Sequence, residues 1–115
     1  MKEDDLKNRT KKFALRILKL IDALPNTVAG RTVAGQLARS GTSVASNYRA
    51  ACRGRSKAEF IAKLGIVEEE ADESSFWLEI IVESEMLSAK KVEPLLQEAN
   101  EITAIMVSSR KTAGS

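Results

Sequence analysis

The chain has 115 residues, 43% of them apolar and 30% charged, with six glycines, two prolines and a formal net charge of +2. That length fits one domain with a single core, and the composition is too apolar for a disordered chain and too poor in turn residues for an all-β one. A lone cysteine excludes an intrachain disulfide, and the lack of histidine removes the usual general base, transition-metal ligand and physiological pH switch.

The first helical pattern runs from about Asp5 to Leu24, with Leu6, Phe13, Ile17, Leu20, Ile21 and Leu24 on one face. Pro25 disfavours helix at the residue before it, so the element is expected to stop there and give way to a loop, PNTVAG. A second helix is expected from Thr32 to Arg53, because Val33, Leu37, Val44, Tyr48 and Ala51 cluster on one side; Gly54 then ends it. Ser56 to Glu59 reads S-K-A-E, a capping box that opens a third helix reaching about Glu85. Along it Phe60, Leu64, Val67, Ala71, Ser74, Leu78 and Ile81 alternate four and three apart, a seam of heptads that Trp77 and Ile80 broaden. Ser88 is expected to cap a fourth helix to about Ser109, with Val92, Leu95, Ala99, Ile102 and Met106 as its stripe. Pro94 falls a turn inside, which predicts a start near Glu93 or a bent first turn, and the tail RKTAGS is expected to be loose. Four amphipathic helices with short connections predict one all-α domain, an antiparallel up-down-up-down four-helix bundle.

No segment reaches the roughly 18 apolar residues of a membrane span. The charged start MKEDDLKNRTKKF has no apolar run that would serve as a signal peptide. A soluble, cytoplasmic protein without a membrane partner is the expectation.

The charge is unevenly placed. Residues 23–58 hold six bases and no acid, whereas residues 59–101 hold twelve acids and three bases. On the second helix Arg39, Arg49 and Arg53, with Arg31 if the helix reaches it, share a face turned from the core; Arg55 and Lys57 extend it at the helix ends. Lys11, Lys12, Arg16 and Lys19 of the first helix add to the same sign. Two readings fit. The arginines pair with the acidic third helix, within a subunit or across an interface, or they form a phosphate-binding surface for RNA or DNA. Tyr48 points to the core, so base stacking on that face is not expected. A strip of small residues, Ala34, Ala38, Gly41, Ala45 and Cys52, lets another helix approach closely.

Catalytic chemistry finds little support. Glu68, Glu69, Glu70, Asp72 and Glu73 lack the histidines of a bundle di-metal site, so no metal or other cofactor is expected. Arg49 and Arg53 are near enough in sequence to lower the pKa of Cys52, but no base accompanies the thiol. Ser40, Thr42, Ser43 and Ser46 are expected to bond their own backbone or a neighbouring helix. Asn47 and Tyr48, at the edge of the core stripe, are expected to bond the third helix, at Glu69 or Glu73. The segment GRTVAG lacks the lysine and spacing of a phosphate loop. No catalytic residue is assigned, and a non-enzymatic protein is expected.

The run QLARSGTSVASNYRAACRGRSKAEFIAKLGIVEEEADESSFWLEII resembles the four-helix-bundle proteins encoded in intervening sequences of bacterial 23S ribosomal RNA genes, the S23 family. The similarity rests on R-S-x-T-S-V at Arg39 to Val44, A-S-N-Y-R at Ala45 to Arg49, S-x-x-E-F at Ser56 to Phe60 and E-A-D-E-S-S-F-W-L-E at Glu70 to Glu79. It extends upstream through LKLIDALP and downstream to the last helix. The resemblance implies a ring-like homopentamer of four-helix bundles and no catalytic residue. It also implies kinship with the accessory variability determinant of diversity-generating retroelements, a similar pentamer that binds a reverse transcriptase and nucleic acid. Where the family often has glutamate after N-Y-R this chain has Ala50, which implies the loss of a salt bridge between helices or subunits.

Overall fold

Three acids, Glu3, Asp4 and Asp5, complement the helix dipole in the first turn of α1 (Glu3–Ile21), and three further helices follow: α2 (Val28–Cys52), α3 (Lys57–Glu83) and α4 (Ala89–Gly114). The computed structural model describes residues 3–115; Met1 and Lys2 of the charged N-terminal stretch lie outside the described residues. No strand occurs among the described residues.

The predicted stripes form the core. Leu6, Phe13 and Ile17 of α1, Val33, Leu37, Val44, Tyr48 and Ala51 of α2, Leu64, Val67, Ala71, Leu78 and Ile81 of α3, and Val92, Leu95, Ala99, Ile102 and Met106 of α4 are all buried. Ser74 occupies its place in the α3 seam, also fully buried, and its Oγ lies 2.9 Å from Ser40 Oγ on α2. Cross-helix pairs fix the directions. Ile17 meets Gly41 while Pro25 meets Gly30, Ser40 meets Ser74 while Gly54 meets Phe60, and Ser75 meets Asn100 while Glu68 meets Arg110. Each helix therefore runs antiparallel to the one before it, in a body of 45 × 20 × 19 Å. α3 packs on α2 and α4, whereas α1 rests mainly on α2.

Three boundaries differ from the sequence reading by more than two residues: the end of α1, the start of α2 and the end of α4. α1 ends at Ile21, and Leu24 lies in a turn whose amides reach back three residues, Ala23 to Leu20 and Leu24 to Ile21. α2 begins at Val28 rather than Thr32, because Thr27 caps it by accepting the Gly30 amide at 3.0 Å. Gly30 is required there: a Cβ would lie 2.0 Å from the Pro25 carbonyl oxygen. α4 begins at Ala89 directly after Ser88, as expected, although the Ser88 side chain makes no capping hydrogen bond; it runs on through Pro94 rather than starting near Glu93, and Pro94 withholds its amide from the Lys90 carbonyl where both residues face solvent. The tail is helical to Gly114, anchored where Arg110 donates to Glu68 on α3 at 2.6 and 3.0 Å.

Both cap signals of α3 act with small departures. Ser56 accepts the Glu59 amide at 3.1 Å, and Glu59 reaches back to the amide of Arg55 rather than Ser56. Gly54 follows the Arg53 cap of α2 without a left-handed backbone, and glycine suits the position because a Cβ would sit 3.1 Å from the Ala51 carbonyl oxygen. The left-handed position belongs to Glu85, at φ 60°, where the α3–α4 turn closes with Met86 donating to the Ile81 carbonyl.

Candidate nucleic-acid interface

The small strip of α2 finds its partner in α1. A Cβ on Gly41 would lie 2.9 Å from Ile17 Cγ2, so the two helices touch there and continue side by side toward the N-terminus of α1 and the C-terminus of α2. Beyond that contact they enclose an open groove of about 580 Å³ lined by Lys7, Asn8, Lys11, Ala14, Thr42, Ala45, Ser46, Arg49 and Arg53. The antiparallel register sets Lys7 across from Arg53 and Lys11 across from Arg49, with Ala14 and Ala45 further along. Four cations line the groove and no carboxylate does; Glu3 stands at its mouth, 3.6 Å from Lys7 Nζ.

The six residues singled out from the sequence are thus divided. Arg49 and Arg53 enter the groove. Arg39 turns the other way and bridges Glu70 at 2.8 Å and Glu73 on α3, the pairing that the sequence offered as one of two readings. The Glu73 carboxylate raises the pKa of the Arg39 guanidinium and is itself lowered by it, chiefly through their hydrogen bond, and Glu73 also accepts the Trp77 indole at 3.1 Å. Arg55 is exposed in the α2–α3 connection and Lys57 in the first turn of α3, at the end where the groove opens. Arg31 stands apart, roughly 33 Å from Arg53 at 1.5 Å per helical residue, and donates to Asn26 at 2.9 Å.

Of the α1 bases only Lys11 was singled out among those that line the groove; Lys7 and Asn8 were missed. Lys7, Lys11 and Ala14 share one strip of α1 at spacings of four and three, a pattern legible once the small strip of α2 is given α1 as its neighbour. Lys12, Arg16 and Lys19 do not line the groove, and Arg16 lies toward Glu98 on α4.

The polar groups near the groove are engaged within their own helix. Burial pushes the Cys52 thiol up, as it does the Tyr48 hydroxyl one turn away, so the expected lowering by Arg49 and Arg53 does not occur. Asn47 donates to the Ser43 carbonyl of its own helix at 3.0 Å, and the hydroxyl of Tyr48 faces Cys52; neither reaches Glu69 or Glu73 as expected. Thr42 and Ser46 bond the carbonyls of Ala38 and Ser43. Among the described residues no cluster of three or more acids, cysteines or histidines is placed to hold a metal ion, and no helix is long and apolar enough to cross a membrane.

Fold and groove together define an all-α protein of four antiparallel helices with a cationic cleft between the first two. The chain belongs to the 23S rRNA-intervening sequence protein family, whose model matches residues 2–108. It is similar to a protein of unknown function from the S23 ribosomal protein family of Bacteroides thetaiotaomicron, known from a crystal structure, with 34% identity over 92% of this chain and 98% of that one and a TM-score of 0.86. No curated protein matches the chain significantly.

Proposed function

We propose that this chain is a non-enzymatic accessory protein that binds RNA or DNA through the α1–α2 groove and acts as a homo-oligomer, a pentamer by family resemblance, in the cytoplasm. The observation that carries the reading is the convergence of Lys7, Lys11, Arg49 and Arg53 on one cleft without a lining carboxylate. Clustered cations of this kind bind phosphates by releasing counterions, which makes affinity fall linearly in log salt. Arg55 and Lys57 extend the positive field at the groove's open end. Fluorescence anisotropy with labelled structured RNA and duplex DNA, across a salt series, tests it. Binding that weakens with salt and drops in the Arg49→Gln/Arg53→Gln variant supports the reading, and no binding at low salt ends it.

A second reading, a scaffold that docks protein, is favoured by the outer face of α3. Phe76 is 51% exposed and stacks edge to face on Trp77 at 4.9 Å, and Ile66, 38% exposed, lies about 15 Å away along the same helix. Apolar exposure on this scale next to acids suits a partner helix or another copy of the bundle. Sedimentation of wild type and Phe76→Ser separates the readings: assembly that fails in the variant while nucleic-acid affinity persists assigns the two faces to different tasks.

A further inference from the structure

We infer that the α1–α2 groove selects the phosphodiester backbone of a single strand over a duplex, gripping two successive phosphates; this rests on the nucleic-acid reading above. The groove is a ladder of two rungs, Lys7 with Arg53 and Lys11 with Arg49. On each helix the two cations are four residues apart, a rise of about 6 Å, which is of the order of the separation of neighbouring phosphates along an extended strand. Each rung pairs one ammonium from α1 with one guanidinium from α2, Lys7 also standing 3.6 Å from Glu3, and Asn8 adds a neutral polar side chain to the lining.

Width gives the selectivity. The axes of helices in contact lie about 8–10 Å apart, and the Ile17–Gly41 contact holds α1 and α2 that close, so the groove is a narrow furrow along their junction. A duplex, whose major groove alone is about 12 Å wide, is too broad to enter and meets only the rim. No aromatic side chain lines the groove, so the bases find no stacking platform and the choice of base does not matter. Ala14 and Ala45 in the lining carry nothing beyond Cβ and so leave room for the backbone, and Thr42 and Ser46 beside them already bond carbonyls of their own helix.

The test uses the full chain with labelled oligo(dT), oligo(U) and a duplex of matched length, each titrated through a sodium chloride series. Two phosphates gripped on a single strand give a slope of about −1.4 in log affinity against log salt per groove. Lys11→Gln/Arg49→Gln removes one rung, so the slope should halve and affinity fall about fivefold at roughly 0.1 M salt. Lys90→Gln/Lys91→Gln removes the same charge at the opposite end of the bundle and should leave both unchanged, with helicity by circular dichroism equal in all three proteins. Similar affinity for oligo(dT) and oligo(U) assigns recognition to the shared backbone; a preference for oligo(U) assigns part of it to the 2′-hydroxyl. A duplex bound as tightly as the single strand, or a rung variant no weaker than the Lys90/Lys91 control, overturns the inference while leaving nucleic-acid binding intact. Absence of binding to all three ligands at low salt overturns both.

Discussion

Adding a single methyl at Gly41 probes the contact on which the groove depends. In Gly41→Ala the new Cβ would lie 2.9 Å from Ile17 Cγ2, 3.0 Å from Cγ1 and 3.2 Å from Cβ. Ile17 is fully buried and branched at Cβ, so the crowded atoms belong to the stiff base of its side chain and the two helices must move apart. Overpacking a filled core costs about 1–3 kcal/mol. Alanine's advantage over glycine inside a helix offsets about 1 kcal/mol of that. The expected net effect is a loss of about 1 kcal/mol.

Gly35 supplies the control within the same helix. A Cβ there has nothing within 4 Å, so Gly35→Ala should gain about 0.5–1 kcal/mol. The two variants share the same chemical change and should differ by about 2 kcal/mol. Urea unfolding followed by circular dichroism measures this, with protein concentration held fixed because self-association would move the midpoint. If Gly41→Ala matches Gly35→Ala in stability, α1 and α2 are not in the close contact on which the groove's width rests.

Ser74→Ala should cost about 1–2 kcal/mol by leaving buried Ser40 without its 2.9 Å partner, and adding Ser40→Ala should cost less than additively in a double-mutant cycle by urea unfolding. Arg9 donates to Glu98 at 2.6 and 2.8 Å and to Glu101 at 2.8 Å, which holds the Glu98 carboxyl below its ordinary 4.5. A depressed folded pKa stabilises above the unfolded value and loses that contribution as pH falls through the folded one. Arg9→Gln should therefore cost about 1 kcal/mol at neutral pH and show a shallower loss of stability below about pH 4.5; parallel acid limbs would contradict the pairing. Glu85→Gly relieves a left-handed backbone and should raise the unfolding free energy measured in urea by about 0.5–1 kcal/mol. Ser56→Ala removes the α3 cap and should lower it by about 1 kcal/mol.

α3 was the most legible helix because its signals are local: a serine cap with its glutamate at one end and seven apolar or small seam positions after it. The start of α2 was less legible because Thr27 caps with glycine, not glutamate, three residues on. The length of α4 was hidden because its last turns are held by Arg110 on Glu68, a contact 42 residues away in sequence. The arginine face was read as one surface from its helical angles. Its division between Arg39 on α3 and Arg49 and Arg53 beside α1 depends on which helix lies on each side of α2, and angle alone does not encode that. The small strip announced a close neighbour without saying which, and Lys7 became visible only once α1 filled that place.

α1 is the shortest helix and rests chiefly on α2, with the Arg9 clamp its strongest polar tie to α4. Amides of α1 should accordingly exchange with solvent through a local opening that leaves α3 protected. Because α1 supplies one side of each cation pair, every such opening also dismantles half of the cleft. Any ligand held there must slow that exchange, by linkage, in proportion to its occupancy. The lifetime of the first helix on its neighbour thereby becomes a reporter of what the groove holds, readable without a label on the ligand.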